Sequence, residues 1–311
     1  MDLRHLTTFR AIATTLSFTR AAADLGYVQS AVTAHIKALE GELGVPLFDR
    51  LGRGVALTDA GERLLGYADR ITLLVEEAAG SVRSTGELTG TVTISSPEVL
   101  AINRLPAIVR EVYRRHPGVQ IGFRDNPTGA LDQPVRRALA SGAVDVAYVL
   151  AERAPSRPPL VAEHLTDEPL VLITAPGHPL AGRKRVVAAD LDRVAIISTE
   201  PGCPYRRMLD RTLVGAGSRA RIVGEFTSSE AVKRCVEAGT TVGLLAACSL
   251  TEELRSGSLT ALAWHGPTLQ LASFMVWNTK RWTSPALDAL LGITREALGT
   301  ATTSKAHRAV E

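Results

Sequence analysis

Hydroxyl-bearing side chains recur where predicted strands end and predicted helices begin. They stand at Ser95 and Ser96, at Thr128, from Thr199 to Cys203, and at Thr227 and Ser228. Hydroxyls and free backbone N–H groups at a helix start can together hold an anion such as a carboxylate. One such cluster alone is more often a helix cap, so a ligand site requires several of them to meet in the fold.

Cys203 is the candidate for covalent chemistry, because it stands at a predicted helix start that could lower the pKa of its thiol. No second cysteine follows within about thirty residues to resolve a sulfenic acid, and the surroundings of Cys235 and Cys248 are typical of a core. A thiol redox switch at Cys203 therefore stays an alternative. The three cysteines form no CxxC pair, which argues against a zinc site or a disulfide framework.

No catalytic constellation accompanies these residues. The seven histidines are scattered, neither HExxH nor GxSxG occurs, and no glycine-rich phosphate loop follows a predicted strand. An enzyme would need catalytic groups, and an exported solute-binding protein would need an export signal. We therefore predict a protein that is not an enzyme and that carries no cofactor or metal.

Two short helical patterns follow each other near the N-terminus. In the first, Ser17 is the predicted cap, Gly26 the predicted stop, and the apolar face comprises Phe18, Ala21, Ala22 and Leu25. In the second, Val28, Val32, Ile36 and Leu39 share the apolar face, while the residues turned outward are Gln29, Ser30, Thr33 and Lys37. This pattern predicts a helix-turn-helix whose second helix enters the major groove of DNA, with an ordinary helical hairpin as the alternative.

The first 65 residues resemble the winged helix-turn-helix of LysR-type transcriptional regulators. The most characteristic pieces are SFTRAA (Ser17–Ala22), IKALEGELGVPLFDR (Ile36–Arg50) and LTDAGERLL (Leu57–Leu65). The resemblance implies that residues 1–58 bind double-stranded operator DNA. Relatives often carry Arg where this chain has Ala34, so base contacts are expected from Gln29, Ser30, Thr33 and His35. Phosphate contacts are expected from Arg20, Lys37, Arg50 and Arg53, the last two on a hairpin wing.

A long helix should follow, within a linker of residues 59–88. Thr58 is its predicted cap, and its apolar residues recur at spacings of 4, 3, 4, 3 and 4: Leu64, Ala68, Ile71, Val75, Ala78 and Val82. Up to Ser84 this helix would be roughly 39 Å long. Such a narrow heptad stripe is typical of a helix that pairs with another helix. The family uses this element to dimerise; the alternative is a helix packed on its own domain.

From Thr91 onward, short apolar strands alternate with helices, which predicts parallel sheets covered by helices. The predicted strands are Val92–Ser95, Gln120–Arg124, Val144–Leu150, Leu170–Ala175, Val194–Ser198, Ile222–Phe226, Val242–Ala247 and Leu271–Trp277. The stretches Gly90–Ile121 and Cys235–Leu245 resemble the family's effector-binding region. The resemblance implies that residues 89–298 form two α/β subdomains, as in a periplasmic binding protein. Subdomain I comprises residues 91–164 plus 268–298, subdomain II residues 165–267, and residues 299–311 form a tail.

In that arrangement the two subdomains are joined by crossovers near His164–Pro169 and Trp264–Thr268, and the hydroxyl clusters face one cleft. The resemblance implies a site for a small anionic metabolite built from Ser95, Ser96, Thr128, Thr199, Cys203, Tyr205, Thr227 and Ser228. Many relatives continue after the position of Ser96 with Thr, whereas this chain has Val99 and Leu100. We therefore expect an effector with an apolar or aromatic body.

The length, composition and charge of the chain are consistent with this domain organisation but would not predict it alone. At 311 residues the chain is long enough for two or three domains, and 45% hydrophobic residues suffice for globular folding. Residues 1–58 carry six basic against five acidic side chains, so DNA affinity must depend on where the charges lie. The apolar runs are shorter than a membrane span and no signal peptide is recognisable, so we expect a cytoplasmic protein with no membrane partner.

The sequence thus predicts a DNA-binding transcriptional regulator whose operator geometry depends on a bound small molecule. Its expected partners are operator DNA, the effector and further copies of itself, as a dimer and then a homotetramer. RNA polymerase is a further candidate partner.

Overall fold

The computed structural model describes residues 1–51, 54–83 and 88–298. Arg53 and the predicted tail at 299–311 lie outside the described residues, as do the side chains of Arg50 and Val82. None of the described helices is long and apolar enough to cross a bilayer.

Three helices and a hairpin form the N-terminal domain. The helices are α1 (Leu3–Thr15), α2 (Phe18–Leu25) and α3 (Gln29–Leu43), and strands β1 (Phe48–Leu51) and β2 (Gly54–Leu57) pair antiparallel. The hydroxyl of Ser17 caps α2 by accepting from the backbone N–H of Arg20 (3.3 Å), and Gly26 ends α2 in the left-handed conformation that glycine adopts at little cost. Both helix limits predicted from the sequence are therefore present.

The core of this domain is aromatic and aliphatic. The ring of Phe9 lies 5.3 Å from that of Phe48, which joins α1 to the hairpin, and Phe18 meets Phe48 edge-on at 5.8 Å. Around these rings the buried side chains include Leu6, Ile12, Val32, Ile36, Leu39 and Leu47. Because α1 and α3 share this core, the hairpin and the outer face of α3 are held in one fixed arrangement.

A 25-residue helix, α4 (Asp59–Arg83), continues from the hairpin. Thr58 caps it as predicted, with its hydroxyl accepting from the N–H of Gly61 (3.0 Å), and Asp59 and Glu62 stand in its first turn. Ala68 is fully buried against the N-terminal core, and Leu64 and Ile71 pack on the same cluster. The first half of α4 is thus part of the N-terminal domain.

The remaining residues form a two-lobed α/β domain. Its strands are β3 (Thr89–Ser96), β4 (Gly118–Asp125), β5 (Val146–Ala151), β6 (Leu160–Thr174), β7 (Ala195–Thr199), β8 (Arg221–Phe226), β9 (Val242–Ala246), β10 (Thr260–Ala261) and β11 (Gln270–Asn278). In the described part of the chain they follow the order β4-β3-β5-β11-β6-β9-β7-β8, with β10 paired to β6. All eight predicted strands have counterparts in this order.

The predicted parallel sheets are only partly present, because the ladder is mixed. Strand β3 pairs parallel with β4 and β5, and β7 pairs parallel with β8 and β9. Strand β11 instead runs antiparallel to β5 and β6, and β6 runs antiparallel to β9. The antiparallel strands are those that carry the chain between the lobes.

The long strand β6 belongs to both lobes. Its first part pairs with β11 up to Pro169, and from Leu170 onward it pairs with β9. The return passage lies between β10 and β11, where the N–H of Leu170 donates to the carbonyl of Leu269 (2.9 Å). The chain therefore crosses between lobes at two adjacent places, which is the arrangement of a hinge.

Helices cover both faces of this ladder. They are α5 (Glu98–Asn103), α6 (Leu105–Arg115), α7 (Gln133–Ser141), α8 (Pro204–Gly215), α9 (Ser229–Glu237), α10 (Thr251–Ser256) and α11 (Pro285–Leu298). Helices α5 and α7 follow β3 and β4 in the first lobe, and α8 and α9 follow β7 and β8 in the second. The carboxyl ends of four parallel strands and the starts of four helices therefore face the crevice between the lobes, where α/β proteins bind ligands.

Candidate functional site

The exposed face of α3 gathers the residues expected to read DNA. Gln29, Ser30 and Lys37 are exposed, and Thr33 is half-buried with its hydroxyl donating to the carbonyl of Gln29 (3.0 Å). The cap residue of α3, Val28, makes no side-chain hydrogen bond to the helix start. The first N–H groups of α3 are therefore available to a phosphate, and Gln29 and Ser30 stand where a recognition helix presents its first side chains to bases.

The structure differs from the sequence-based expectation at two residues near the start and middle of this helix. Val28, assigned to the apolar face, is 68% exposed because it precedes the first helical turn as the cap. His35, expected to contact bases, is turned to α1: its Nδ1 lies 3.0 Å from the hydroxyl of Thr8, and its ring packs on His5. Tyr27, beside the turn, meets the ring of His35 edge-on and is itself 42% exposed.

Two of the cations expected to hold phosphate are exposed in the described part of the N-terminal domain. Arg20 is exposed on α2 and Lys37 is exposed on α3. Arg50 lies on β1 of the wing, with its side chain outside the described residues, as is the whole of Arg53. The described part of the surface combines polar groups, two cations and an uncapped helix start, which suits a nucleic-acid backbone.

The predicted dimerisation stripe on α4 divides into two parts. Leu64, Ala68 and Ile71 pack on the N-terminal core, so the alternative of a helix packed on its own domain is correct for this half. Further along, Leu74 and Val75 are 44% and 42% exposed, and Ala78 is exposed as well. Large apolar side chains exposed side by side on a long helix mark the surface available for a second helix.

The cleft between the lobes is lined by residues from the starts of α5, α8 and α9 and from the turn that follows β4. From the first lobe come Pro97, Glu98, Val99, Pro127, Thr128, Gly129 and Leu150, and from the second Thr199, Glu200, Cys203, Tyr205, Phe226, Thr227 and Ser229. The lobes approach closely here, since a Cβ placed on Gly202 would lie only 3.2 Å from Cγ2 of Thr128. The remaining cavity measures about 20 Å³, which is room for little more than one water molecule.

Five of the eight predicted effector residues line this cleft: Thr128, Thr199, Cys203, Tyr205 and Thr227. Ser95 and Ser96 are buried behind it, where the hydroxyl of Ser96 donates to the carbonyl of Pro97 (3.2 Å), so neither forms part of the lining. Thr128 lines the cleft, but its hydroxyl holds its own turn through Asn126 (3.2 Å) and Asp132 (3.0 Å).

Ser228 already has a partner from the opposite lobe. Its hydroxyl donates to one carboxylate oxygen of Glu98 (2.9 Å), and the backbone N–H of Ser229 donates to the other (2.7 Å). Glu98 stands at the start of α5, and Ser228 and Ser229 form the start of α9. The two lobes are thus joined across the cleft by a carboxylate on a helix N-terminus, a contact that no local sequence pattern predicts.

Three buried polar atoms in the same cleft lack hydrogen-bond partners: Oγ1 of Thr199, Oε1 of Glu200 and the phenolic oxygen of Tyr205. Thr199 is 6% exposed and Tyr205 is 3% exposed. Burial strongly raises the pKa of the Tyr205 hydroxyl, helped by nearby acidic groups, so this group carries its proton at neutral pH. Buried polar groups are normally paired, so three unpaired ones in one cleft point to a ligand.

Cys203 lines the cleft but lacks the environment of a reactive thiol. Burial raises its pKa by more than the backbone amides of Tyr205 and Arg206 lower it. Cys248 is similar: burial, together with the charge of Glu168, raises its pKa to about 12. Within the described ranges no group of three His, Cys, Asp or Glu could hold a metal ion.

A buried ion pair braces the junction of the lobes. The guanidinium of Arg104, between α5 and α6, binds both carboxylate oxygens of Glu168 on β6 at 2.9 and 2.8 Å. Glu168 is only 1% exposed and lies just before the point where β6 changes partners. Removal of Arg104 would leave the buried carboxylate of Glu168 uncompensated, so this pair stabilises the segment where β6 changes partners.

The match to known proteins extends over both domains. Residues 3–62 match the model of the bacterial regulatory helix-turn-helix protein, lysR family, and residues 85–299 match that of the LysR substrate binding domain. The chain is 32% identical over 296 residues to the uncharacterized HTH-type transcriptional regulator YwqM of Bacillus subtilis, covering 95% of this chain and 99% of that protein. It is 31% identical to the RuBisCO operon transcriptional regulator of Allochromatium vinosum, over 93% and 94% of the two chains.

Solved structures share the fold at lower identity. The full-length CbnR complexed with its target DNA superposes with a TM-score of 0.70 at 21% identity, covering 96% of this chain and all of that one (100%). A full-length OxyR variant from Pseudomonas aeruginosa reaches the same TM-score of 0.70 at 19% identity, over 96% and 95% of the chains.

A winged helix-turn-helix, a long connecting helix and a two-lobed ligand-binding domain define a DNA-binding transcriptional regulator with an effector-binding domain. Within this class the chain belongs to the LysR family of transcriptional regulators.

Proposed function

We propose that the protein recognises a specific operator sequence. We also propose that a small metabolite with an anionic group binds between its two lobes and changes the geometry of the protein–DNA complex. The observation that carries the proposal is the cleft, where helix starts from both lobes converge on three buried polar atoms without partners. A ligand that satisfies these atoms must contact both lobes, so it favours one relative position of the lobes over others. Such differential affinity is what a conformational response requires.

Specific recognition of DNA is assigned to α3. Gln29, Ser30 and Thr33 are the proposed base-reading residues, and Arg20, Lys37, Arg50 and Arg53 the proposed phosphate contacts. Support comes from the exposure of Gln29, Ser30 and Lys37 and from the uncapped start of α3. Because operator DNA lies in the bacterial cytoplasm, we place the protein there.

Assembly is assigned to α4 and to the effector domains. We propose that the exposed apolar half of α4, around Leu74 and Val75, pairs with its copy in a second chain, and that two such dimers form a tetramer. Paired recognition helices would then meet half-sites about one helical turn of DNA, or a multiple of it, apart. RNA polymerase stays a candidate partner of the assembled complex.

The proposal is tested by recovering the DNA that co-purifies with the full-length protein and sequencing it. One enriched motif with two half-sites is expected, and its affinity should exceed that of a scrambled duplex of equal length at the same salt concentration. A metabolite screen by thermal shift on the same protein should then find a compound that alters the footprint on this motif. Equal affinity for motif and scrambled duplex would contradict the proposal.

A further inference from the structure

A carboxylate of the protein itself occupies the anion position of the cleft. Both oxygens of Glu98 are engaged by the start of α9, one by the hydroxyl of Ser228 (2.9 Å) and one by the N–H of Ser229 (2.7 Å). A helix N-terminus with a hydroxyl and a free N–H is the arrangement that binds a ligand carboxylate. A ligand acid and Glu98 cannot use these two donors at the same time.

The rest of the cleft lacks a counter-charge for an anion. Its described lining contains the carboxylates of Glu98 and Glu200 and no Lys, Arg or His side chain. One oxygen of Glu200 is buried without a hydrogen-bond donor. A ligand with net negative charge would face both carboxylates in a buried space, whereas a ligand that also carries an ammonium group would supply the donor that Glu200 lacks.

The remaining lining sets the shape of such a ligand. The phenolic hydroxyl of Tyr205 is buried without a partner and can bond a second oxygen of the ligand. Val99, Leu150 and Phe226 provide apolar walls. One carboxylate, one ammonium group and a short apolar side chain would suit the start of α9, the carboxylate of Glu200 and the apolar walls.

A second position outside the cleft is open to the side chain of Glu98. It also lines a neighbouring cavity of about 90 Å³ that is shared with Ile102, Ser229 and Lys233. The ammonium group of Lys233 lies on that side, where it binds Glu230 (2.7 Å) and Glu253. A rotation of the Glu98 side chain out of the cleft would therefore move its charge away from the ligand and towards Lys233, whose ammonium group Glu230 and Glu253 already neutralise.

We infer that Glu98 is a built-in occupant of the effector site, and that the effector is a small zwitterionic carboxylic acid of the apolar amino-acid type whose carboxylate replaces that of Glu98 at the start of α9. This inference rests on the proposed function, because it names the ligand and the regulation of the same cleft. Without effector, Glu98 holds the lobes together; with effector, the ligand makes the same bridge with a different spacing. The switch is therefore an exchange of one carboxylate for another.

The test is calorimetric titration of the full-length protein with the twenty standard L-amino acids, using wild type and Glu98→Gln. The amide of the variant keeps the size of the side chain but removes the charge that holds the two donors. We expect at least one apolar amino acid to bind wild type, and to bind Glu98→Gln about tenfold or more tightly, because hydrogen bonds to a charged competitor no longer oppose it. The matching amine without the carboxylate and the matching acid without the amine should each bind more weakly than the amino acid.

Glu230→Gln is the matched control. It removes the same charge from the first turn of α9, where Glu230 binds Lys233 and Arg234 and not the helix start. An equal gain in affinity in this control, or no gain in Glu98→Gln, would overturn the role of Glu98. Absence of binding by any amino acid to Glu98→Gln, whose melting temperature shows that it is folded, would overturn the ligand class.

The proposed function is measured separately on the same samples. If wild type and Glu98→Gln select the same operator motif while no amino acid binds as expected, the result contradicts only the inference about Glu98 and its ligand. If wild type selects no motif, the proposed function as an operator-specific regulator is contradicted as well.

Discussion

Thr33 offers DNA only part of its side chain. Its hydroxyl donates to the carbonyl of Gln29 within α3, which leaves the oxygen lone pairs and the methyl group for a base edge. We expect Thr33→Ala to lower affinity for the operator by about 1 kcal/mol while affinity for random duplex stays the same, because base contacts carry sequence information. Fluorescence anisotropy with both duplexes at one salt concentration measures the difference.

Lys37→Ala is the companion variant to Thr33→Ala. Its exposed ammonium group should contact phosphate, so operator and random duplex should weaken together and the salt dependence should become shallower by about one unit of slope. If Thr33→Ala instead loses the same affinity on both duplexes, Thr33 is not a base-reading residue.

The thiol of Cys203 should be slow to react in the folded protein. Burial raises its pKa, so the thiolate fraction at neutral pH is lower than that of an exposed cysteine and increases only as the pH rises. We expect iodoacetamide to modify Cys203 more slowly in native protein than in urea-unfolded protein at neutral pH, as followed by peptide mass spectrometry. Rapid native labelling at neutral pH would restore the redox-switch alternative.

Helix caps were predictable from sequence at the level of single residues, whereas contacts across the cleft were not. Ser17, Gly26 and Thr58 act on backbone groups within a few residues of themselves, so a local pattern identifies them. Glu98 acts on Ser228 and Ser229, some 130 residues away in sequence, and its significance appears only when the lobes meet. The burial of Ser95 and Ser96 behind the cleft was missed for the same reason, because sequence spacing does not show which side of a turn faces the ligand.

At the scale of elements, α4 exposes Leu74 and Val75 beyond Ile71, where we propose that a second chain pairs. We expect Leu74→Asp to shift the protein to a smaller assembly, because pairing would bury an aspartate without a partner. Light scattering after size exclusion measures the mass. Leu74 is 44% exposed and is not part of the N-terminal core, so the chain itself should stay folded.

Leu43→Asp on α3 is the control for Leu74→Asp, since it adds the same charge at a similarly exposed leucine (40%) away from α4. An unchanged mass for Leu74→Asp, or an equal loss of mass for Leu43→Asp, would count against pairing through α4. Ile71→Asp is a poorer probe, because Ile71 packs on the N-terminal core and its replacement would unfold that domain.

Elements with an apolar run were found from sequence, and those without one were missed. The prediction of Leu170–Ala175 captured only the buried end of β6, since its first part, Leu160–Pro169, contains Glu163, His164, Asp167 and Glu168. These polar residues lie where β6 passes from one lobe to the other. The charge of Glu168 is compensated there by Arg104. Pairing between distant strands decided the fold of this segment, so local pattern could not reveal it.

At the scale of the whole molecule, we propose that the effector lobes influence DNA through α4. Gly66 on α4 faces Ser141 at the end of α7, and a Cβ at Gly66 would lie 3.3 Å from that of Ser141. Beside this contact, a groove of about 680 Å³ separates α4 from the first lobe and is lined by residues that include Arg63, Arg124 and Arg137. The N-terminal domain and the first lobe therefore approach each other closely at Gly66, next to an open space.

That close point should transmit the effector response. We expect Gly66→Leu to push α4 away from α7, because a side chain cannot fit at this distance without displacement of Ser141. Calorimetry should then show unchanged effector binding, and anisotropy should show that operator affinity is retained, while the effector-dependent change in the footprint is reduced. Gly292→Leu on α11 is the control, because its Cβ would meet no atom within 4 Å and the gain in helix propensity is the same. If Gly66→Leu keeps the full effector-dependent footprint, the lobes reach the DNA-binding domain by another route, which leaves contacts between chains of the assembly as the remaining physical connection.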